Sequence, residues 1–272
     1  MFDEDFFKMY NEGMEEQGQG QPQGDGSSGQ IETISFGVPK KIFVLSVGGS
    51  IIAPNKPDAS FISKFGECLE GLYKEGYRFA LVAGGGQTAR TYIAAAKALG
   101  ANNFALDEIG IQATRLNASV LIQGIERAYP EVLTDIRRAK EIIAIGKIPI
   151  FGGLMPGFTT DAVAVLLAEF LSGECEVEYI NMTNVEGIYS SDPSTHPKAR
   201  MFERVSFERL LSLMKVAESK PGQNLVMDVP ACIFLKRSKI PGIVLDGKDL
   251  NNFENAVKGN EFEGTRIIET EG

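Results

Sequence analysis

Residues 79–90 read FALVAGGGQTAR. Five apolar residues run without interruption into three glycines, and an amphipathic stretch follows. That order predicts a buried strand over Phe79–Ala83, a turn at Gly84-Gly85-Gly86 and a helix over Gln87–Leu99. Glycine has no Cβ, so its backbone approaches a ligand closely and adopts positive φ. Successive inward-pointing amides form an anion nest, and a helix beginning just after it adds unpaired N–H groups and a positive dipole end. Arg90, one turn into the helix, places a permanent charge near such an anion.

The same grammar extends outward in both directions. Strands are expected at Ile42–Val47, Ile148–Phe151, Val177–Met182 and Ile243–Leu245. Helices are expected at Ser60–Lys74, Asp107–Arg127, Thr134–Ile145, Asp161–Leu171, Ser206–Lys215 and Val229–Arg237. Alternation of this kind predicts an α/β fold, a mostly parallel central sheet with helices on both faces. Ligands bind such sheets at the carboxyl ends of the strands. Three more loops stand there: Ser46-Val47-Gly48-Gly49-Ser50, the run Gly152–Asp161 and the run Thr183–Pro193. One Gly-Gly pair is most simply a tight turn, but several after successive strands favour phosphate binding. Thr159, Thr160 and Asp161 fit either a helix cap or contact with a ligand. Tyr189 and Asp192 lie in a polar loop suited to a base and ribose, or to an ordinary turn ending at Pro193.

Composition narrows the chemistry. The chain has 272 residues, 43% of them hydrophobic, and a net charge of −9. Seven acids and one lysine within residues 1–30 account for −6 of that charge. No basic face favours a nucleic acid, and no apolar run is long enough for a membrane helix. A cytoplasmic protein is expected. Residues 17–30, QGQGQPQGDGSSGQ, read as a flexible linker, and residues 1–38 as an extension before the domain at 39–272. Phe2, Phe6, Phe7 and Tyr10 would line one side of a short docking helix, or lie in an unstructured tail. Cys68, Cys175 and Cys232 suggest neither a disulfide framework nor a zinc motif and read as buried thiols. The single His196 excludes mechanisms that need a histidine pair. The run Gly242–Asp249 imitates a Walker A loop, but Asp249 stands where Ser or Thr belongs and the interior IVL reads as a strand. Asn117-Ala-Ser119 is a formal glycosylation sequon.

Taken in order, SVGGS (46–50), VAGGGQTAR (82–90), DEIGIQATRLNA (107–118), GGLMPGFTTDAVAVLLAEF (152–170), TNVEGIYSSDP (183–193) and GTRII (264–268) resemble the amino-acid kinase superfamily, its archaeal-type UMP kinases most closely. The similarity spans about Lys41–Glu269. It implies an αβα sandwich in which ATP donates its γ-phosphoryl to UMP, with magnesium (Mg2+) carried chiefly on the nucleotide phosphates, and a hexamer built from dimers. By position it implies that Ser46, Val47, Gly48, Gly49, Ser50, Gly86 and Arg90 meet the ATP phosphates, and that Thr183, Asn184, Tyr189 and Asp192 hold the adenosine. It assigns Gly85, Asp107, Leu154, Met155, Pro156, Gly157, Phe158, Thr159 and Thr160 to UMP, with Asp107 on the ribose. It implies that Asp161 orients the cationic groups and forms the catalytic pair with Arg90. Relatives commonly carry histidine where Met155 and Phe158 stand, lysine where Gln87 and Ile233 stand, and Asp where Glu186 stands. Arg90, Lys41, Arg115 and Lys220 are therefore the candidates for charge at the transferred phosphoryl. Two other functions fit the same loops: transfer to another small acceptor, such as an acylated amino acid or isopentenyl phosphate, and binding of ATP without transfer.

Overall fold

Strand β1, Lys41–Val47, shows how the sequence sorts itself into layers. Its side chains alternate, Ile42 and Val44 entering one core while Phe43, Leu45 and Val47 enter another. Two-sided burial is what a central strand of a helix-covered sheet requires. The computed structural model describes Pro39, residues 41–191, 193, 196, 198–218 and 226–270. The extension at 1–38, its aromatic residues, Asp192 and Lys220 lie outside the described residues.

After β1 come α1 (Gly49–Ile52), α2 (Ala59–Lys74), β2 (Arg78–Ala83), α3 (Gly86–Ala98), α4 (Asn103–Gly124) and β3 (Ala128–Leu133). A 3-10 turn at Ile136–Arg138 leads into α5 (Ala139–Ala144), β4 (Ile148–Phe151), α6 (Thr160–Leu171) and β5 (Glu176–Thr183). The chain closes with β6 (Arg204–Ser206), α7 (Phe207–Glu218), α8 (Val229–Ser238), β7 (Gly242–Asp246), α9 (Leu250–Lys258) and β8 (Thr265–Ile268). The eight strands form one sheet in the order β3-β4-β2-β1-β5-β7-β8-β6. Every pairing is parallel except β7 with β8. Helices α5, α6, α7 and α8 pack on one face, and α1, α2, α4 and α9 on the other. Each fully buried Leu, Ile or Phe in these layers contributes about 1.5–3 kcal/mol.

The expected αβα sandwich is present, with adjusted boundaries. Helix α4 begins at Asn103, where Asn102 caps it by accepting from Ala105 N, and it ends at Gly124 rather than Arg127. The expected Thr134–Ile145 helix is a 3-10 turn capped by Asp135, followed by a six-residue helix. Ser206 belongs to β6, not to the helix after it. The thiols need a correction: only Cys232 is fully buried, while Cys68 and Cys175 are partly exposed. Burial pushes the Cys68 thiol up to about 11, so it is a weak nucleophile at neutral pH. Among the described residues no helix is long and apolar enough to cross a membrane.

Candidate active site

Parallel strands put their carboxyl ends on one edge, so the loops after β1, β2, β4 and β5 converge there. The first two loops touch through backbone. A Cβ on Gly49 would collide with the Gly86 amide, and one on Gly86 with the Gly49 carbonyl. Only glycine at both positions allows that approach. Gly85 is right-handed, with φ −83° and ψ −31°, and Gly86 has φ +57°. A right-handed residue followed by a left-handed one turns consecutive amides inward, the geometry of an anion nest. The nest sits at the start of α3, whose unpaired amides add to it. The loop is tied down on both sides: Gly84 N donates to Val47 O at 2.9 Å, and Gly48 N to Met182 O at 2.8 Å.

Asn117 supplies a third tie. Its side-chain amide donates to Gly84 O at 2.8 Å and Gly85 O at 3.0 Å, and it is buried inside α4. The sequon reading gave no hint of this role; an Asn in the middle of a helix, on its inner face, was the available signal.

Beneath the nest lies Asp161, in the first turn of α6. Ser46 donates to its Oδ1 at 2.7 Å, and the buried Tyr179 hydroxyl lies 3.5 Å from the same oxygen. Burial and the nearby Asp228 carboxylate push Asp161 up to about 6, against the lowering effect of the Ser46 and Tyr179 hydrogen bonds. Burial first, then Asp161, raises Tyr179, which stays a protonated donor. Asp228 caps α8 by accepting from Ala231 N at 3.2 Å. The N-termini of α6 and α8 thus meet at one carboxylate. Ser46 and Val47 are placed differently from the glycines beside them, the first serving Asp161 and the second filling the core with its side chain.

The run 152–160 arches from β4 to α6. Helix α4 pins it: Gly153 N donates to Thr114 Oγ1 at 2.6 Å, Arg115 donates to Gly153 O at 3.1 Å and Leu154 O at 3.4 Å, and Gly157 N donates to Asp107 Oδ2 at 2.9 Å. Met155 and Gly157 are exposed, while Leu154, Pro156 and Phe158 are half-buried. Thr159 is the N-cap of α6, its hydroxyl accepting from Ala162 N at 3.1 Å, and Thr160 opens the helix. At the next loop the Thr183 hydroxyl is 3.4 Å from Asn184 Oδ1, and Tyr189 donates to Glu186 at 3.1 Å.

The candidate cations separate. Arg90 is exposed in the second turn of α3, its Nε donating to Gln87 at 3.1 Å. Lys41 pairs with Glu178 at 2.6 Å at the opposite end of β1. Six residues from Val47 at ~3.3 Å each put it about 20 Å from the nest. Arg115 is committed to the carbonyls of the 152–160 run. Of the placed candidates, Arg90 alone lies on the helix that begins at the nest, exposed and bonded to Gln87.

The model described as "Amino acid kinase family" matches residues 41–246, about three quarters of the chain. The chain belongs to the amino acid kinase family. Within the family, a uridylate kinase of Thermococcus sibiricus is 41% identical over 225 residues, covering 82% of this chain and 98% of that one. A uridylate kinase of Thermococcus onnurineus is 42% identical over 217 residues, covering 79% and 95%. The crystal structure of a uridylate kinase from Archaeoglobus fulgidus superposes with a TM-score of 0.72 at 36% identity, covering 84% of this chain and 99% of that one. The four converging loops all fall inside the family match.

Proposed function

We propose that this chain transfers the γ-phosphoryl of ATP to UMP, giving ADP and UDP. The observation that carries the reading is 41% identity, over 82% of this chain and 98% of the other, to a protein named uridylate kinase. The site chemistry supports it. The amides of Gly49, Ser50 and Gly86 take the ATP phosphates in the nest, Gly48 lending its bare backbone to the approach while its own amide stays on Met182 O, and Thr183, Asn184, Tyr189 and Asp192 take the adenosine. Gly85, Asp107 and residues 154–160 take UMP, the Thr159 and Thr160 hydroxyls facing its phosphate.

Phosphoryl transfer needs positioning and stabilisation of spread negative charge more than covalent help. The nest amides and the N-termini of α3 and α6 supply fixed partial charge, and Arg90 a full one. Asp161, held by Ser46 and Tyr179, orients cationic groups at the transferred phosphoryl. Among the described residues no group of three or more His, Cys, Asp or Glu side chains is set to hold a metal. Magnesium carried on the nucleotide would neutralise phosphate charge, and Asp161 and Asp228 are the carboxylates that would hold it at the site.

The wider reading is a cytoplasmic enzyme of pyrimidine nucleotide synthesis, assembled as a hexamer built from dimers. Support for assembly comes from α3, which has no buried residue. Its Tyr92 and the Leu99 that caps its end, with Phe104 and Leu116 of α4, are large apolar side chains left exposed.

One observation favours a second reading, binding without transfer: Lys41 and Arg115 are committed elsewhere, which leaves little charge at the phosphoryl. Release of ADP in the presence of UMP, CMP or isopentenyl phosphate separates the two. Turnover with UMP supports the kinase. ATP-dependent thermal stabilisation with no turnover on any acceptor supports the binder.

A further inference from the structure

The 152–160 run is pinned by polar contacts on its α4 side. On its other side the contact is aromatic. The Phe158 ring stacks on the Phe234 ring of α8, with centroids 6.1 Å apart and planes 19° apart. Offset stacking at this distance is a favourable aromatic geometry. Phe234 is itself fixed, because the Arg237 guanidinium sits 4.9 Å over its ring and pairs with Glu169 near the far end of α6, Nε to Oε1 at 3.1 Å. Helix α8 therefore touches the chain at two places, the run itself at Phe158 and α6 at Glu169. Both helices begin beside Asp161, capped by Thr159 and Asp228.

We propose that Phe158 and Phe234 are positioning residues for the phosphate acceptor: their stack strings the 154–160 run between α4 and α8, in the shape that receives a nucleoside monophosphate. The inference rests on the kinase reading for its ligand, but not for the mechanical claim. Phe158 immediately precedes the two threonines assigned to the acceptor phosphate, so a freed ring releases the Thr159 cap and the Gly157 amide together. The ATP nest lies on α3 and is tied to β1 and α4, so loss of the stack leaves it in place.

Phe234→Leu keeps an apolar side chain and removes the ring; Phe234→Tyr keeps the ring. Hydrogen exchange at the Gly157 and Phe158 amides should quicken about two- to twelvefold in Phe234→Leu, the range one aromatic pair supplies. Exchange at Gly85 and Gly86 should not change. KM for UMP should rise by a similar factor, and KM for ATP should stay within about twofold. Phe234→Tyr should match the unsubstituted protein in both. Leu235→Val, a change in the buried face of the same helix, should lower thermal stability without quickening Gly157. Unchanged exchange at Gly157 in Phe234→Leu, or an equal rise in both KM values, overturns the proposal. If the unsubstituted protein fails to phosphorylate UMP, the kinase reading falls, and the exchange data still decide whether the stack holds the run.

Discussion

Asp161 concentrates the conflict between stability and chemistry at a single side chain. Its carboxyl is pushed from the ordinary 3.8 to about 6, burial being the larger cause and Asp228 the next. A group whose folded pKa lies above its unfolded one favours folding most at low pH. That contribution is fully present below 3.8 and is lost as pH rises through about 6. The ionised carboxylate therefore costs at most about 3 kcal/mol at neutral pH. Asp161→Asn keeps an oxygen for Ser46 and removes the charge. Denaturant midpoints should show the variant more stable at pH 8 and equal to the unsubstituted protein near pH 4, while phosphoryl transfer falls roughly 10²–10³-fold. A variant less stable at pH 8 would contradict the assigned cause. Transfer by the unsubstituted protein should also rise with pH through about 6, as Asp161 ionises.

At the scale of elements, the site is a set of loops that touch through backbone, and its weak points are where side chains would intrude. Gly49→Ala drives a methyl into the Gly86 amide, so the nest must open. ATP binding measured by calorimetry should be lost, with UMP binding much less affected. Asn117→Ala leaves the Gly84 carbonyl short of a donor, at about 1–3 kcal/mol for a buried group left unpaired, while the Gly85 carbonyl keeps Ala89 N. It should raise KM for ATP and lower the thermal midpoint together.

The elements differ in how far the sequence disclosed them. The central strands were legible because burial on both faces writes a continuous apolar run, as in FALVA and IPIF. β3, AYPEVL, was not: a proline and a glutamate interrupt it, and as an edge strand it pairs on one side only. β6 and β8 are three and four residues long, too short for a period to register. α9 hides its Phe253, Ala256 and Val257 stripe among Asn and Glu. In the site, glycine reports a backbone need that sequence can express. Asn117, Tyr179 and the Phe158–Phe234 stack act through partners 18 to 76 residues away, which no local pattern encodes.

For the whole molecule, the proposed assembly would use α3, which buries no side chain, with exposed Phe104 and Leu116 on α4. Replacing Leu99 and Phe104 together by Glu should convert the assembly to monomers by light scattering. If mass is unchanged, the contact lies elsewhere. A chain beginning at Pro39 should retain the turnover of the full protein, since every site residue assigned above follows it. A large loss on truncation would give residues 1–38 a part in the reaction.

The central claim is transfer of a phosphoryl group from ATP to UMP at the converging loops. Phosphorus NMR of the purified protein with ATP, magnesium and UMP follows it directly. UDP and ADP should appear in equal amounts. No UDP, with ATP left intact or merely hydrolysed to ADP and phosphate, would contradict it.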